Sequence, residues 1–394
     1  MFKISDDDIK KHLDIRKSIE YINSGNLRKA FKLAKTFARN NPELTSAHIL
    51  ESGIAEALKL PDLVLKACKK AISLDNYRND IYMRGIFACL HLNDETSASD
   101  LFAGITPRVL ETGTDLQQLW MMYQYAAQAF EPLTDQVKIK SADISDNPLV
   151  SVIIPTANRH LLLIDALTSL INQTHHNWEA IVVNARAESV ENLPTDKRIK
   201  LINSRTNINA AQARNLGISE IKGEFFCFLD DDDLFKPNHL SMALSTIRDK
   251  NSVGIFSDSD LVFEKIVDGI RSPYDRHLTQ PGRRYSSLLM QMRNYIKFNE
   301  AVFRRDYCGH LRFDENLSLW EDWDYMLSIF SIGTLERVNA STCEVRRRPD
   351  DMAHMSMEAK GIKAACDYIF SKHPTSKPWL KLGRLVYMKI QKII

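Results

Sequence analysis

The sequence predicts an α/β domain with a doubly wound sheet, preceded by an all-α domain of helical repeats. Two observations support this prediction. Residues 1–130 carry small and apolar residues at helical spacing, with almost no strand signal. After residue 148, short β-branched runs alternate with helical stretches, which is typical of a sheet covered by helices on both faces. Between these regions, the polar and turn-rich residues 131–148 have the composition of a linker.

The helical-repeat prediction rests on two matching stretches. Residues 25–43 and 60–76 each contain two alanines four residues apart, and Ala67 follows Ala30 at an offset of 37 residues. Small residues at this spacing let helices approach closely, and a period in the thirties is typical of stacked helical hairpins. The pattern resembles tetratricopeptide repeats, with an ordinary helical bundle as the alternative. If the repeats are real, their concave face is a candidate surface for a protein partner.

The composition excludes several classes of protein. Among 394 residues, 52 lysines and arginines balance 50 aspartates and glutamates, so nothing favours nucleic acid as a partner. The six cysteines are scattered without a zinc-binding spacing, as expected of reduced thiols. The charged N-terminus lacks the apolar core of a signal peptide, and no run of 18 apolar residues occurs. We therefore expect a cytoplasmic protein.

Residues 149–360 form the predicted α/β domain. Its strands are continuous apolar runs, as expected of strands that are buried on both faces of a parallel sheet. In doubly wound sheets, ligands bind beyond the carboxyl ends of the strands. The predicted strands cover residues 149–155, 178–183, 199–204 and 225–229.

Four consecutive aspartates, Asp230 to Asp233, directly follow the fourth predicted strand. Adjacent carboxylates repel one another and gain most when a cation lies among them. Hard divalent ions such as Mg²⁺ and Mn²⁺ prefer oxygen ligands and share them with phosphates. In an extended chain, Asp230 and Asp232 would point to the same side. A solvated loop is the alternative interpretation.

Three stretches together carry a family resemblance. Residues 150–159 (VSVIIPTANR), 207–233 and 312–333 resemble, in this order, the first strand, the metal-binding segment and the acceptor segment of family 2 glycosyltransferases. The resemblance implies a GT-A type doubly wound mixed sheet. It also implies a metal-dependent, inverting transfer of a sugar from a nucleotide-diphosphate donor. The acceptor would be a hydroxyl of a glycan, a lipid-linked molecule or a protein, as in bacterial surface polysaccharide synthesis.

The resemblance assigns metal and donor roles to the aspartates. Asp232 would be the direct ligand of Mn²⁺ or Mg²⁺, and Asp230 would contact the ribose or a metal-bound water. Asp231 stands at the variable position of this donor-binding loop. Asp233 would fix the loop or contact the donor sugar. His354 would be a further metal ligand or a phosphate contact.

Other residues acquire donor, acceptor or catalytic roles by the same resemblance. Asp322 matches the catalytic base that takes the proton of the acceptor hydroxyl. Glu321 and Trp320 would bind the acceptor, whereas without the resemblance this stretch is an acidic helix start. The candidate donor contacts are Pro155, Thr156, Asn158, Arg159 and Arg214, and the candidate diphosphate contacts are Arg346, Arg347 and Arg348.

The chain departs from the family after the second predicted strand. Where the family reads VVDDGS, this chain reads VVNARAES, so Asn184 and Ala185 replace the two aspartates. Asn184 can still hydrogen-bond to a base edge, but the identity of the base stays open. The departure also leaves open a catalytically inactive binding module on a helical-repeat scaffold. A nucleotidyltransferase is a weaker alternative, because the loop after the first strand is not glycine-rich.

The C-terminal residues 361–394 read as a basic, amphipathic helical tail. Trp379, Leu382 and Val386 share one face of a helix, with Lys381 and Arg384 opposite. Such a helix can lie on an anionic membrane, which would bring the enzyme to the inner face of the membrane. The alternative is a terminal helix that packs on the protein.

Overall fold

The computed structural model describes residues 4–131, 144–188, 190, 193–247, 252–267, 270–278, 284–348 and 359–391. These residues form two compact units. The first comprises Met1–Pro132 with Thr375–Lys392, and the second comprises Leu133–Pro374. Most of the predicted linker lies outside the described residues.

Helices account for the regular structure of the first unit, as predicted. Their starts follow local sequence signals: Asn26 and Asp94 accept hydrogen bonds from backbone N–H groups of the helices that follow them, and Pro61 occupies a first helical position. The helices from the N-terminal part of the chain are α1 (Asp6–Lys11), α2 (Leu13–Asn23), α3 (Leu27–Asn40), α4 (Thr45–Ala57), α5 (Pro61–Leu74), α6 (Asn79–Leu92), α7 (Glu95–Thr112) and α8 (Leu116–Ala129).

The helices of this unit recur at a regular spacing that differs from the sequence estimate. Helices α3, α5 and α7 begin at Leu27, Pro61 and Glu95, each 34 residues after the last. The offset of 37 residues inferred from the alanines was therefore too long by three. Three residues are close to one helical turn, so the matched Ala30 and Ala67 still lie on the buried faces of their helices.

The second unit contains the predicted α/β domain. Its strands are β1 (Val150–Thr156), β2 (Trp178–Asn184), β3 (Ile199–Asn203), β4 (Phe225–Phe228), β5 (Leu234–Phe235), β6 (Ser252–Val267), β7 (Ile270–Leu278), β8 (Ala301–Arg304) and β9 (Thr334–Arg347). Its helices are α9 (His160–Ile171), α10 (Ala210–Ser219), α11 (His239–Thr246), α12 (Ser287–Met290), α13 (Arg305–Cys308), α14 (Glu321–Ile332) and α15 (Ala359–Lys372).

The strands form one mixed sheet, which confirms the predicted GT-A type architecture. In the described part of the unit the order is β3-β2-β1-β4-β8-β6-β9-β5, with β7 paired to β6. Strands β1 to β4 are mutually parallel, and β8 runs antiparallel to both of its neighbours. Val152, Val182 and Cys227 of the parallel strands are buried in the core together with Leu163 and Leu167 of α9. Because β1 and β4 are adjacent and parallel, their carboxyl ends meet at one edge of the sheet.

The C-terminal tail divides between the two units. Helix α15 belongs to the second unit, whereas α16 (Pro378–Ile390) belongs to the first. Within the first unit, Trp379 and Val386 of α16 are buried, and the Trp379 ring stacks on Phe102 and Tyr123 with centroids 6.1 and 6.4 Å away. The apolar face proposed for a membrane is thus used for packing, in agreement with the terminal-helix alternative.

Two further observations concern the tail and the helices in general. Arg384, expected on the exposed basic face of the tail, is buried, and burial lowers its pKa to about 10. Among the described helices, none combines the length and the apolar character needed to cross a membrane.

Candidate active site

The predicted donor residues converge on a cavity at the carboxyl ends of β1 and β4. The cavity has a volume of about 460 Å³ and is also lined by the start of α10 and the end of β9. It lies where a doubly wound sheet offers its ligand site. The predicted residues that line it are Pro155, Thr156, Arg159, Arg214, Asp230, Asp231, Asp232 and Arg347.

Asp231 anchors the aspartate loop to β1. Its side chain is buried, and Oδ2 accepts a hydrogen bond of 2.7 Å from Thr156 Oγ1. Burial and the charge of Asp232 raise the pKa of Asp231 to about 6, although the Thr156 hydrogen bond and Arg159 act in the opposite direction. Asp231 therefore holds the loop in place, although the sequence assigned it no specific task.

Asp233 is an internal anchor as well. Its Oδ1 accepts a hydrogen bond of 2.7 Å from the Arg346 backbone N–H, and its Oδ2 accepts one of 2.7 Å from Asn299 Nδ2. Burial and the charges of Asp232 and Asp230 raise its pKa well above the usual range. Of the two predicted roles, fixing the loop agrees with these contacts.

Asp230 and Asp232 are the aspartates with accessible carboxylates at the cavity. The Asp232 side chain is 13% exposed and pairs with Arg159 at 2.9 Å and Arg348 at 2.7 Å. The Asp230 side chain is 39% exposed and pairs with Arg214 at 2.9 Å. Alternate positions in the tetrad thus face the cavity, as the spacing predicted.

Arg214 connects the aspartate loop to the start of α14. Its guanidinium donates to Asp230 at 2.9 Å and to Glu321 at 2.6 Å. Burial alone would lower the pKa of Arg214, but these two carboxylates raise it above its usual value. The guanidinium therefore stays charged and pins the loop, which was one of its two predicted roles.

Asp322 lies in the first turn of α14, next to Glu321. Its Oδ2 accepts a hydrogen bond of 3.0 Å from Asn294 Nδ2, and its Oδ1 accepts one of 2.8 Å from the Trp323 backbone N–H. These two donors orient the carboxylate. Burial raises the pKa of Glu321, and the Asp322 charge adds to that, whereas Arg214 lowers it.

Trp320 precedes α14 in a left-handed backbone conformation, with φ of 60°. This conformation is uncommon for a bulky residue and is maintained only where its surroundings enforce it. The Trp320 ring meets the buried Trp323 ring edge-on, with centroids 5.4 Å apart. Asn158, after β1, also has a positive φ, 57°.

The three arginines predicted for the diphosphate separate by their position on β9. Arg347 lines the cavity. Arg346 is buried and pairs with Glu264 at 2.7 Å and with Glu344. Arg348 donates to Asp232 and approaches Glu264 at 3.4 Å. The prediction for Arg346 was wrong because adjacent strand residues point to opposite faces.

Glu264 of β6 is a residue that the sequence analysis missed. It is completely buried and accepts hydrogen bonds from Arg271 and Arg346. Burial would raise its pKa, but these guanidinium groups lower it. Arg271 also donates to the Asp232 backbone carbonyl at 2.5 Å, so this cluster supports the aspartate loop from behind. A charged residue inside an apolar strand was the available signal.

Asn184 does not have the role that the sequence suggested. It is buried, and its Nδ2 donates to the Glu188 carbonyl at 2.6 Å and to Asn203 Oδ1 at 3.0 Å, while its Oδ1 accepts from Arg186 N. These contacts shape the loop after β2. Its neighbours Ala185 and Arg186 line the cavity instead.

The donor set at the cavity fits a metal ion that binds together with a diphosphate. Within the described ranges, no cluster of three or more His, Cys, Asp and Glu side chains could hold a metal alone. Magnesium-type sites, however, often use one or two carboxylates, with phosphates and water supplying the other ligands. Asp230 and Asp232 provide two carboxylates at one cavity. His354 lies outside the described residues.

Comparison with known proteins agrees with this site. The family model for glycosyl transferase family 2 matches residues 151–314. The putative colanic acid biosynthesis glycosyl transferase WcaA of Escherichia coli K12 is 30% identical over 190 residues, which cover 47% of this chain and 67% of that protein. The chain belongs to glycosyl transferase family 2.

Other members share shorter portions. An uncharacterized glycosyltransferase of Rickettsia bellii is 31% identical over 215 residues, so this chain spans only 30% of its length and the match covers 52% of this chain. Among solved structures, the mannosyltransferase PcManGT from Pyrobaculum calidifontis, in complex with GDP-Man and Mn²⁺, is 16% identical with a TM-score of 0.46, covering 71% of this chain and 81% of that one. Staphylococcus aureus TarS 1-349 with UDP-GlcNAc is 18% identical with a TM-score of 0.42, covering 62% and 72%.

Proposed function

We propose that this protein is a metal-dependent, inverting glycosyltransferase. It would move a sugar from a nucleotide-diphosphate donor to a hydroxyl of a glycan, lipid-linked or protein acceptor. The observation that supports this most directly is the Arg214 bridge, which links the Asp230 carboxylate at the donor cavity to Glu321 beside Asp322. Two carboxylate sets with different tasks, one for the leaving group and one for the acceptor, thus share one buried cation.

The donor diphosphate would bind in the cavity at the ends of β1 and β4. Asp230 and Asp232 would hold Mn²⁺ or Mg²⁺, which would neutralise the charge that develops on the leaving group. Arg347 lines the same cavity and would bind phosphate oxygens by charge-assisted hydrogen bonds. The Arg159 side chain is 48% exposed, so it can exchange the Asp232 carboxylate for a phosphate oxygen.

Asp322 would act as the general base. The hydrogen bonds from Asn294 and Trp323 fix its carboxylate, which would take the proton of the acceptor hydroxyl. The acceptor oxygen then forms a bond to the anomeric carbon while the bond to the diphosphate oxygen breaks, so one displacement inverts the configuration. Glu321 and Trp320 would contact the acceptor.

The printed names of relatives support a role in polysaccharide synthesis. Besides WcaA, the Erwinia amylovora protein AmsB is named an amylovoran biosynthesis glycosyltransferase and is 26% identical over 200 residues. A cytoplasmic reaction that extends a surface polysaccharide agrees with these names. The base of the donor stays open, because Asn184 is engaged internally.

We further propose that the helical unit is a tetratricopeptide-like stack that binds a partner or the acceptor. The 34-residue spacing of α3, α5 and α7 supports the repeat. A cavity of about 530 Å³ supports an anionic occupant, because α3 and α5 line it with five cations: Lys32, Lys35, Arg39, Lys66 and Lys70. Lys66→Glu with Lys70→Glu should weaken binding of an acidic acceptor and leave donor hydrolysis unchanged.

A transfer assay with labelled donors tests the enzyme proposal. UDP-, GDP- and dTDP-sugars would each be incubated with Mn²⁺, Mg²⁺ or EDTA and with lipid-linked and free glycan acceptors. The proposal predicts product with one nucleotide, lost in EDTA, and with the opposite anomeric configuration. Nucleotide binding without transfer to any acceptor or to water would instead favour the inactive binding module. Product of unchanged configuration would contradict the inverting mechanism.

A further inference from the structure

A second cavity lies at the opposite edge of the sheet, at the amino end of β4. Its volume is about 520 Å³. Phe225 begins β4 and lines this cavity, whereas Asp230 follows the other end of the strand. None of its described lining residues belongs to the candidate active site. It is lined by Ile218 and Ser219 of α10, Ile221, Glu224, Phe225, Arg304 and Arg305, with Asp306, Gly309 and Arg312 beside them.

Arg304 is the unusual residue of this cavity. It pairs with Phe225 across β8 and β4 and is only 3% exposed. Its Nε and Nη2 atoms are buried and have no hydrogen-bond partner in the described part of the chain. A buried guanidinium with unused donors is costly unless an acceptor or a counter-ion satisfies it. The rings of Phe225 and Tyr307 lie 5.9 and 5.7 Å from its central carbon and compensate only in part.

A neighbouring hydroxyl has the same deficiency. The Tyr307 hydroxyl is buried and, among the described residues, lacks a hydrogen-bond partner as well. Its ring is one of the two near Arg304. Unsatisfied buried donors are rare in native proteins, and two of them on adjacent side chains indicate a missing acceptor.

The charges of the lining favour an anion with a single negative charge. Three cations, Arg304, Arg305 and Arg312, stand against two acids, Glu224 and Asp306. Glu224 is engaged by the Ser145 backbone N–H at 3.1 Å and by the Ser145 hydroxyl. The lining is therefore positive by one charge. Isoleucines and a phenylalanine form the remaining wall, which suits a ligand with a carbon skeleton.

We propose that this cavity binds a small organic oxyanion, such as a sugar acid or a sugar phosphate, through Arg304. The oxyanion accepts hydrogen bonds from the buried guanidinium, and its carbon skeleton packs against Ile218, Ile221 and Phe225. Arg305, whose side chain is exposed at the cavity, adds a second positive charge. The site does not depend on the proposed transferase activity, because it shares no residue with the candidate active site.

Calorimetric titration of the full chain tests the proposal. Glucuronate, glucose 1-phosphate, acetate and inorganic phosphate would be compared with neutral glucose at constant ionic strength. Binding of the carboxylates or of the phosphates identifies the class of oxyanion. Arg304→Gln should weaken the binding about tenfold or more, because it removes charge-assisted hydrogen bonds. Arg305→Glu should weaken it as well and, being exposed, should leave the fold intact if Arg304→Gln does not.

Two control variants locate the binding. Arg28→Gln makes the same charge change at an exposed helical position in the other unit, and Arg347→Gln removes a cation of the candidate active site. Both should bind the oxyanion as the wild type does. The proposal is overturned if no oxyanion binds more tightly than glucose, or if Arg305→Glu binds as the wild type does. Loss of binding in Arg347→Gln alone would assign the anion to the candidate active site and also overturn it.

Discussion

The two ends of β4 differ in how they balance charge. At the carboxyl end, the arginines behind the aspartate loop have carboxylate partners: Arg214 binds Asp230 and Glu321, and Arg346 binds Glu264. At the amino end, two buried nitrogen atoms of Arg304 lack a partner in the described chain. The first end is closed by internal ion pairs and exposes two carboxylates, as a cation site requires. The second end keeps a buried cation with donors unused, as an anion site requires.

The largest effect is expected from removal of the proposed base at the carboxyl end. Asp322→Asn keeps the shape of the side chain but cannot accept the acceptor proton. We expect kcat to fall by about 10²–10⁴, the usual contribution of a general base. Steady-state kinetics with a fixed donor would measure this, while donor affinity and oxyanion binding at the amino end stay unchanged. A variant with wild-type kcat would remove Asp322 from the mechanism.

The internal ion pairs at the carboxyl end should matter strongly for stability. Glu264→Gln leaves Arg271 and Arg346 buried without their carboxylate, and breaking such a pair costs about 3–5 kcal/mol. Urea denaturation of the variant would measure the loss. Glu188→Gln, at an exposed position, is the matched control and should change little. If both variants unfold alike, the cluster does not support the loop energetically.

Acid should destabilise the protein through a buried histidine near the carboxyl end. Burial lowers the pKa of His239 to about 3, below the value of about 6.5 expected when the chain is unfolded. Its contribution is therefore complete above pH 6.5 and is lost as the pH falls toward 3, at about 1.4 kcal/mol per pH unit. His239→Gln should remove this slope from the free energy of unfolding, whereas exposed His310→Gln should retain it. Equal slopes in all three proteins would contradict the assignment.

The smallest effect is expected at the amino end. Arg304→Met replaces an incompletely satisfied buried cation by an apolar side chain of similar length, so its cost should be offset by the relieved desolvation. In the absence of oxyanions, we expect the free energy of unfolding to change by less than about 1 kcal/mol, or to rise. Denaturation beside Glu264→Gln would measure the contrast. A loss as large as that of Glu264→Gln would mean that Arg304 is a structural cation.

Sequence reasoning succeeded where one face of an element dictates its residues. The strands β1 to β4 are buried on both sides, so each stands out as an apolar run, and the aspartates after β4 stand out because they end such a run. The spacing of Asp230 and Asp232 also carried over, because alternation along an extended chain needs no knowledge of the fold.

Sequence reasoning failed where the answer depends on register or on a distant partner. Nothing local distinguishes Arg346 from Arg347, because strand register alone decides which one faces the cavity. The partners of Asn184 and Glu264 come from other strands or loops, so their engagement could not be anticipated. Helix α16 has an apolar face that a membrane or another helix can cover, and only the structure reveals that α7 and α8 do so.

The most direct test of the central claim is the metal dependence of nucleotide binding at Asp232. Thermal denaturation would compare wild type, Asp232→Asn and Asp306→Asn with UDP, GDP or dTDP, in Mn²⁺ or EDTA. The wild type and Asp306→Asn, whose change lies at the amino end, should be stabilised in Mn²⁺ by about 2.7 kcal/mol at one hundred times the dissociation constant. Asp232→Asn should lose this stabilisation. Equal stabilisation of all three proteins, with or without Mn²⁺, would contradict a metal site at the aspartate loop.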